Sequence, residues 1–123
     1  MLVLRKIELK DAKRYLGPGH HDMVSLKLHG KEESGCNSFW TAISYVLPGG
    51  GHPSRAGNED QVYFVLEGEV VFNTPECDIH LKQYDSFHVG PGEERSMRND
   101  SNKVAVMLVT KGGGENMLKF VTP

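Results

Sequence analysis

The sequence predicts an all-β domain, a sandwich or barrel of about ten short strands. Glycine and proline are frequent, at 14 and 6 of 123 residues, and are spread along the chain. That distribution suits strands joined by turns better than a helix bundle. Segments of alternating apolar and polar residues recur at short intervals between these turns, the period of half-buried strands. The length affords one hydrophobic core and not two, so residues 1–123 read as one domain.

The elements follow in order. Residues 2–9 (LVLRKIEL) are a mixed apolar-polar strand, and residues 11–16 (DAKRYL) are one or two helical turns stopped by Gly17-Pro18-Gly19. Residues 23–29 alternate Val24, Leu26 and Leu28 against Ser25, Lys27 and His29. Residues 39–47 (FWTAISYVL) are aromatic and β-branched and end at Pro48-Gly49-Gly50-Gly51. Residues 62–66 are continuously apolar, and Glu67-Gly68 turns them into a hairpin with residues 69–72. Residues 78–82, 86–89 and 94–98 are short strands separated by Gln83-Tyr84-Asp85 and Gly90-Pro91-Gly92. Residues 104–110 are the longest apolar strand, Gly112-Gly113-Gly114 is a break, and residues 117–121 are a last edge strand.

Composition narrows the function classes. Lys+Arg is 14 and Asp+Glu is 16, a net charge of −2, without the basic footprint of a nucleic-acid binder. No apolar run reaches the ~20 residues that span a bilayer, and the charges at Arg5 and Lys6 interrupt any leader-like segment. A cytoplasmic location is the default expectation, with Cys36 and Cys77 as free thiols. His20-His21-Asp22 contains a His-x-Asp spacing, but the Gly-Pro-Gly before it reads as an exposed loop. Trp40 reads as a core residue of its strand rather than a ligand platform.

Two stretches resemble the paired motifs of the cupin family, small jelly-roll β-barrels. The first covers about residues 48–69, from Pro48-Gly49-Gly50 to Val65-Leu66-Glu67-Gly68. The second covers about residues 84–99, through Asp85, Pro91-Gly92 and Asn99. The resemblance implies a small single-domain cupin of jelly-roll type. It also implies a homodimer, since such barrels often pair through their sheets.

The departures from the family pattern concern its metal ligands. Counting along the motifs, the two histidine positions of the first fall on Arg55 and Gly57, its glutamate on Gln61, and the histidine of the second on Arg95. Arginine has no lone pair to offer and carries permanent charge, so these positions suit no divalent cation. Neither a metal nor a cofactor is expected there. A displaced metal set would use His52 with His88 and Glu59 or Gln61, although a histidine in a Gly/Pro-rich turn is usually solvated.

Strand alternation places Gln61, Tyr63 and Val65 on one face and Arg95 with Met97 on another, both inward. His88 is assigned to the same interior, and Arg55 to the loop at its mouth. Two guanidinium groups converging on a partly apolar cavity favour an anion there, unless nearby carboxylates pair with Arg95. The expected pocket is therefore Arg55, Gln61, Tyr63, His88 and Arg95. The expected function is binding of a small organic anion of carboxylate type, as a sensor, carrier or auxiliary module. The alternative is an enzyme, either a metal-free epimerase or isomerase using His88 and Tyr63, or a dioxygenase or decarboxylase with the displaced metal set.

Overall fold

The structure is a computed structural model that describes residues 4–112. Among these residues it is a jelly-roll β-barrel of nine antiparallel strands, with a 3-10 turn at Leu9–Asp11 and one short α-helix. In chain order the elements are β1 (Lys13–Tyr15), β2 (His21–His29), α1 (Lys31–Ser34), β3 (Phe39–Arg55), β4 (Asp60–Glu67), β5 (Val70–Asn73), β6 (Asp78–Leu81), β7 (Ser86–Val89), β8 (Arg95–Arg98) and β9 (Ala105–Gly112). The hydrogen-bonded order is β6-β5-β8-β3-β9-β4-β7, with β2 also on β3 and β1 on β2. The barrel closes except between β6 and β7, the two ends of that order. No helix among the described residues is long and apolar enough to cross a membrane.

The strand β3 makes the barrel possible. It runs through Pro48–Gly51 instead of ending there, with its first half on β9 and its second half on β8. Gly51 sits at the bend with φ 151, and a Cβ there would overlap the Met97 carbonyl. Only glycine lets the two backbones approach so closely. Asn99 secures this corner. Its backbone exchanges bonds with Gly49 and Gly50, at 2.8 and 2.9 Å, and its side-chain amide donates to the Val46 and Lys103 carbonyls. The second motif's turn is tied to the first at Gly92, whose N–H donates to the Gly57 carbonyl at 2.8 Å.

Three local readings are corrected. Residues 4–8 form no strand, and Leu4 is 86% exposed. Residues 13–15 are a strand paired with β2, Lys13 opposite Lys27, where helical turns were expected. An edge strand gains a full backbone ladder there, which outweighs the weak helical preference of a six-residue segment. The hairpin expected at Glu67-Gly68 is a crossover: β4 pairs with β7 and β9, whereas β5 pairs with β6 and β8. Gly68, at φ 78, redirects the chain so that Val70, Val71 and Phe72 are all buried. Tyr84 stands where the family motif opens with glycine, and it keeps a left-handed φ of 70. The proposed last strand, residues 117–121, lies outside the described residues, as do Leu2 and Val3.

The core lies between the two halves of the barrel. Phe72, Val46, Val65, Val70, Met107 and Ala105 are almost wholly buried within it. Each large apolar side chain removed from water contributes roughly 1.5–3 kcal/mol. Tyr63, Phe72 and Phe87 pack as a triangle, with ring distances of 4.6 Å for Tyr63–Phe72, 5.0 Å for Phe72–Phe87 and 6.4 Å for Tyr63–Phe87. This aromatic cluster forms one end of the core, and the candidate site lies beyond Tyr63.

Candidate functional site

The inward face of β4 carries Gln61, Tyr63 and Val65, all buried, as the alternation requires. Arg95 and Met97 lie inward on β8, and Arg95 is opposite Arg55 of β3. Arg95 is only 2% exposed. Its Nη2 donates to Gln61 Oε1 at 2.6 Å and to the Tyr63 hydroxyl oxygen at 3.0 Å. Its Nη1 makes a long bond to the Arg55 carbonyl at 3.4 Å, and its buried Nε has no partner among the described residues. None of the carboxylates of Glu59, Asp85, Glu93 and Glu94 forms an ion pair with it.

Beyond Gln61 and Tyr63 lies a cavity of about 160 Å³, comparable in size to cavities that admit a benzene ring. Its floor is Met23, Met97, Met107 and Val109, and its polar wall is Ser44, His52, Gln61 and Tyr63. Tyr15, His20, Trp40, Arg55 and Lys111 surround the rest. Arg95 is not one of the lining residues. It lies in the wall behind Gln61 and Tyr63 and borders a surface groove with Ile79, Phe87 and Glu93.

The electrostatics are one-sided. No aspartate or glutamate lines the cavity among the described residues, while Arg55 and Lys111 do. Burial pushes the Lys111 ammonium down from its ordinary range, and the Arg55 charge adds to this while Glu59 opposes it. Burial lowers His52 to about 4, helped by Arg95, His20 and Arg55 and opposed by its bond to the Pro53 carbonyl. Burial also lowers His20, with Arg55 and His21 adding to the effect. The two imidazoles stack at 5.9 Å, and both are neutral near pH 7. Tyr63 is raised by burial, against the pull of Arg95, and keeps its proton.

His88 is not part of this site. It faces out from β7, in register with exposed Val62, and its Nε2 is 2.8 Å from Asp60 Oδ1 at the surface. The inward positions of β7 belong to Phe87 and Val89, whose apolar side chains claim the core. The pairing of His88 with Tyr63, and the displaced set of His52 with His88, are therefore not assembled. His21 and Asp22 are exposed and do not line the cavity, so the His-x-Asp triplet is not assembled there either.

The residues at the family's metal positions do not fit a metal. Arg95 is a donor-only cation, Gln61 Oε1 is already bonded to it, Arg55 is a second cation and Gly57 has no side chain. Among the described residues no group of three or more His, Cys, Asp or Glu could hold an ion.

Several lining residues lie outside the expected pocket, Tyr15, His20, Trp40, His52 and Lys111 among them. His52 is 5% exposed rather than solvated, because the corner at Gly51 folds it inward. Trp40 is at the cavity wall instead of in the core. It meets Tyr15 edge-on at 5.6 Å, with the Lys27 and Lys111 ammonium groups 5.8 and 6.0 Å from its ring. Tyr15 and His20 come from the segment read as helix and loop. The apolar alternation of Phe87 and Val89 was the available signal that His88 faces out.

Comparison with known proteins agrees with this architecture. The family model described as "Cupin domain" matches residues 42–111. Beta-D-galactosidase Rv1717 of Mycobacterium tuberculosis is 36% identical over 99 residues, 80% of this chain and 85% of that protein. The polyketide cyclase RemF from Streptomyces resistomycificus superposes with a TM-score of 0.79 at 18% identity, over 89% of this chain and 80% of that one. A predicted oxalate decarboxylase from Thermotoga maritima superposes with a TM-score of 0.73 at 19% identity, over 88% of this chain and 98% of that one. With its barrel, its two motifs and these matches, the chain belongs to the cupin family.

Proposed function

We propose that this cupin domain binds a small organic anion of carboxylate type in the cavity beside Gln61 and Tyr63. The observation that carries the reading is a ring-sized cavity with Arg55 and Lys111 in its lining and no lining carboxylate among the described residues. Both cations are half-buried, and a bound anion would offset the cost of partly desolvating two like charges beside one cavity. Trp40 offers a flat apolar surface to the ligand's body. Arg95 contributes from behind the wall, by fixing Gln61 and Tyr63, rather than by direct contact.

The name of the mycobacterial relative raises glycoside hydrolysis. That chemistry ordinarily uses two carboxyl groups flanking the glycosidic bond. The lining supplies neither among the described residues, which supports binding over hydrolysis of that kind. A metal-free enzyme is the second reading, favoured by the stacked neutral pair His20 and His52 inside the cavity. Exchange of solvent deuterium into a bound acid at carbon would favour that enzyme over a binding domain.

Isothermal titration with galacturonate and galactose tests the anion reading, since the two differ in a carboxylate. The acid is expected to bind and the neutral sugar to bind at least about tenfold more weakly, with Arg55→Met and Lys111→Met each weakening the acid alone. Equal affinity for both sugars, unchanged in the variants, would end it.

A further inference from the structure

The hydrogen-bonding valences of the cavity specify more than charge. Arginine only donates, so Arg95 Nη2 fixes which atoms face it. The oxygen of the Gln61 carboxamide is 2.6 Å from Nη2, and its NH₂ is turned away. That NH₂ has no partner among the described residues, and Gln61 lines the cavity. The Tyr63 oxygen accepts from the same Nη2 at 3.0 Å, so the hydroxyl still has its own proton to give. The two groups thus present donors.

His52 presents the opposite. Its Nδ1 is 2.8 Å from the Pro53 carbonyl. A carbonyl only accepts, so Nδ1 carries the ring proton and Nε2 is bare in the neutral ring. Nε2 makes no hydrogen bond among the described residues, and the ring lines the cavity. The cations and His20 around it, together with burial, keep the ring from taking a second proton. One wall therefore sets two donors, Gln61 and Tyr63, beside the bare neutral nitrogen of His52, and Arg55 and Lys111 supply the charge.

We propose that the ligand is a hydroxy acid, whose carboxylate accepts from Gln61 Nε2 and the Tyr63 hydroxyl and whose own hydroxyl donates to His52 Nε2. The assignment rests on the anion-binding reading above. A deoxy acid would satisfy the donors and leave the buried acceptor dry and unpaired, which discriminates by about tenfold or more. Arg95 is a positioning residue in this arrangement, because it turns both donors toward the ligand.

The test is isothermal titration of the full chain at pH 7 with matched pairs, lactate against propionate and mandelate against phenylacetate, using both enantiomers of each hydroxy acid. The wild type is expected to bind at least one hydroxy acid about tenfold or more tighter than its deoxy partner. In His52→Asn the side-chain amide can still donate to the Pro53 carbonyl while the Nε2 acceptor is gone, and the preference is expected to fall to near parity. Equal binding of both members by the wild type would overturn the hydroxyl assignment and leave the anion reading standing. A preference kept intact in His52→Asn would overturn it too. Failure of every acid to bind would overturn both readings. Should the variant not fold, ¹⁵N-histidine spectra of the wild type decide. The bare Nε2 resonance of His52 is expected to move upfield with lactate or mandelate and not with the deoxy acids, and an unmoved resonance overturns the proposal.

Discussion

Acid should destabilise this domain through His52. The residue is 5% exposed and titrates at about 4, against 6.5 for an unhindered imidazole. Between those values the unfolded chain holds the extra proton and the folded chain does not. Stability linked to His52 is therefore complete above pH 6.5 and is lost progressively as the pH falls to about 4. The interval is worth about 3 kcal/mol at about 1.4 kcal/mol per pH unit. The groups facing the ring are His20, Arg55 and Arg95, and none supplies a negative charge to rescue the imidazolium. His20 adds in the same direction, since it too is lowered by burial. The assay is urea unfolding followed by the single tryptophan, Trp40, from pH 7 to pH 4. His52→Asn cannot take up the proton, so the stability difference between wild type and variant should shrink by about 3 kcal/mol over that range. Parallel stability profiles for the two proteins would refute the burial argument for His52.

Three further outcomes are expected. Arg95→Met loses three hydrogen bonds, one of them long, but also removes a buried cation without a counter-ion, so its stability should stay within about 2 kcal/mol of wild type; calorimetry should nonetheless show lactate binding weakened about tenfold, and unchanged binding would mean that Arg95 does not orient Gln61 and Tyr63. Gly51→Ala forces a methyl group into the Met97 carbonyl across the β3–β8 ladder and should cost at least about 2 kcal/mol by urea unfolding; a neutral result would show that the corner opens freely. The expected homodimer is proposed to sit on the outward apolar row of Leu26, Ile43, Leu108 and Phe64, which lie in register across four strands. Light scattering should then read a dimer for wild type and a monomer for Leu108→Glu, and a monomeric wild type would remove that proposal.

The barrel was legible wherever local pattern decides. Alternation alone oriented Gln61, Tyr63, Val65, Arg95 and Met97 inward, and these are buried. Pairing between distant strands was not legible. Trp40 and Lys111 reach the same cavity because β3 and β9 set them directly opposite, and nothing in either segment announces its partner. The same holds for Tyr15 and His20, which depend on β1 and β2 folding over the β3 corner. His88 was misplaced by giving weight to its proximity to the second motif over the parity of Phe87 and Val89. The role of Arg95 was half legible. Its burial followed from strand parity, but its bonds to Gln61 and Tyr63, which turn it into wall structure, depend on side-chain distances between β8 and β4, which are not neighbours in the sheet.

A crystal structure of the protein soaked with lactate would test the central claim most directly. The carboxylate is expected about 3 Å from Gln61 Nε2 and the Tyr63 hydroxyl, with the ligand hydroxyl at His52 Nε2. An acid found only in the groove beside Glu93 and Phe87, or bound in the cavity with its carboxylate turned away from Gln61 and Tyr63, would contradict the account.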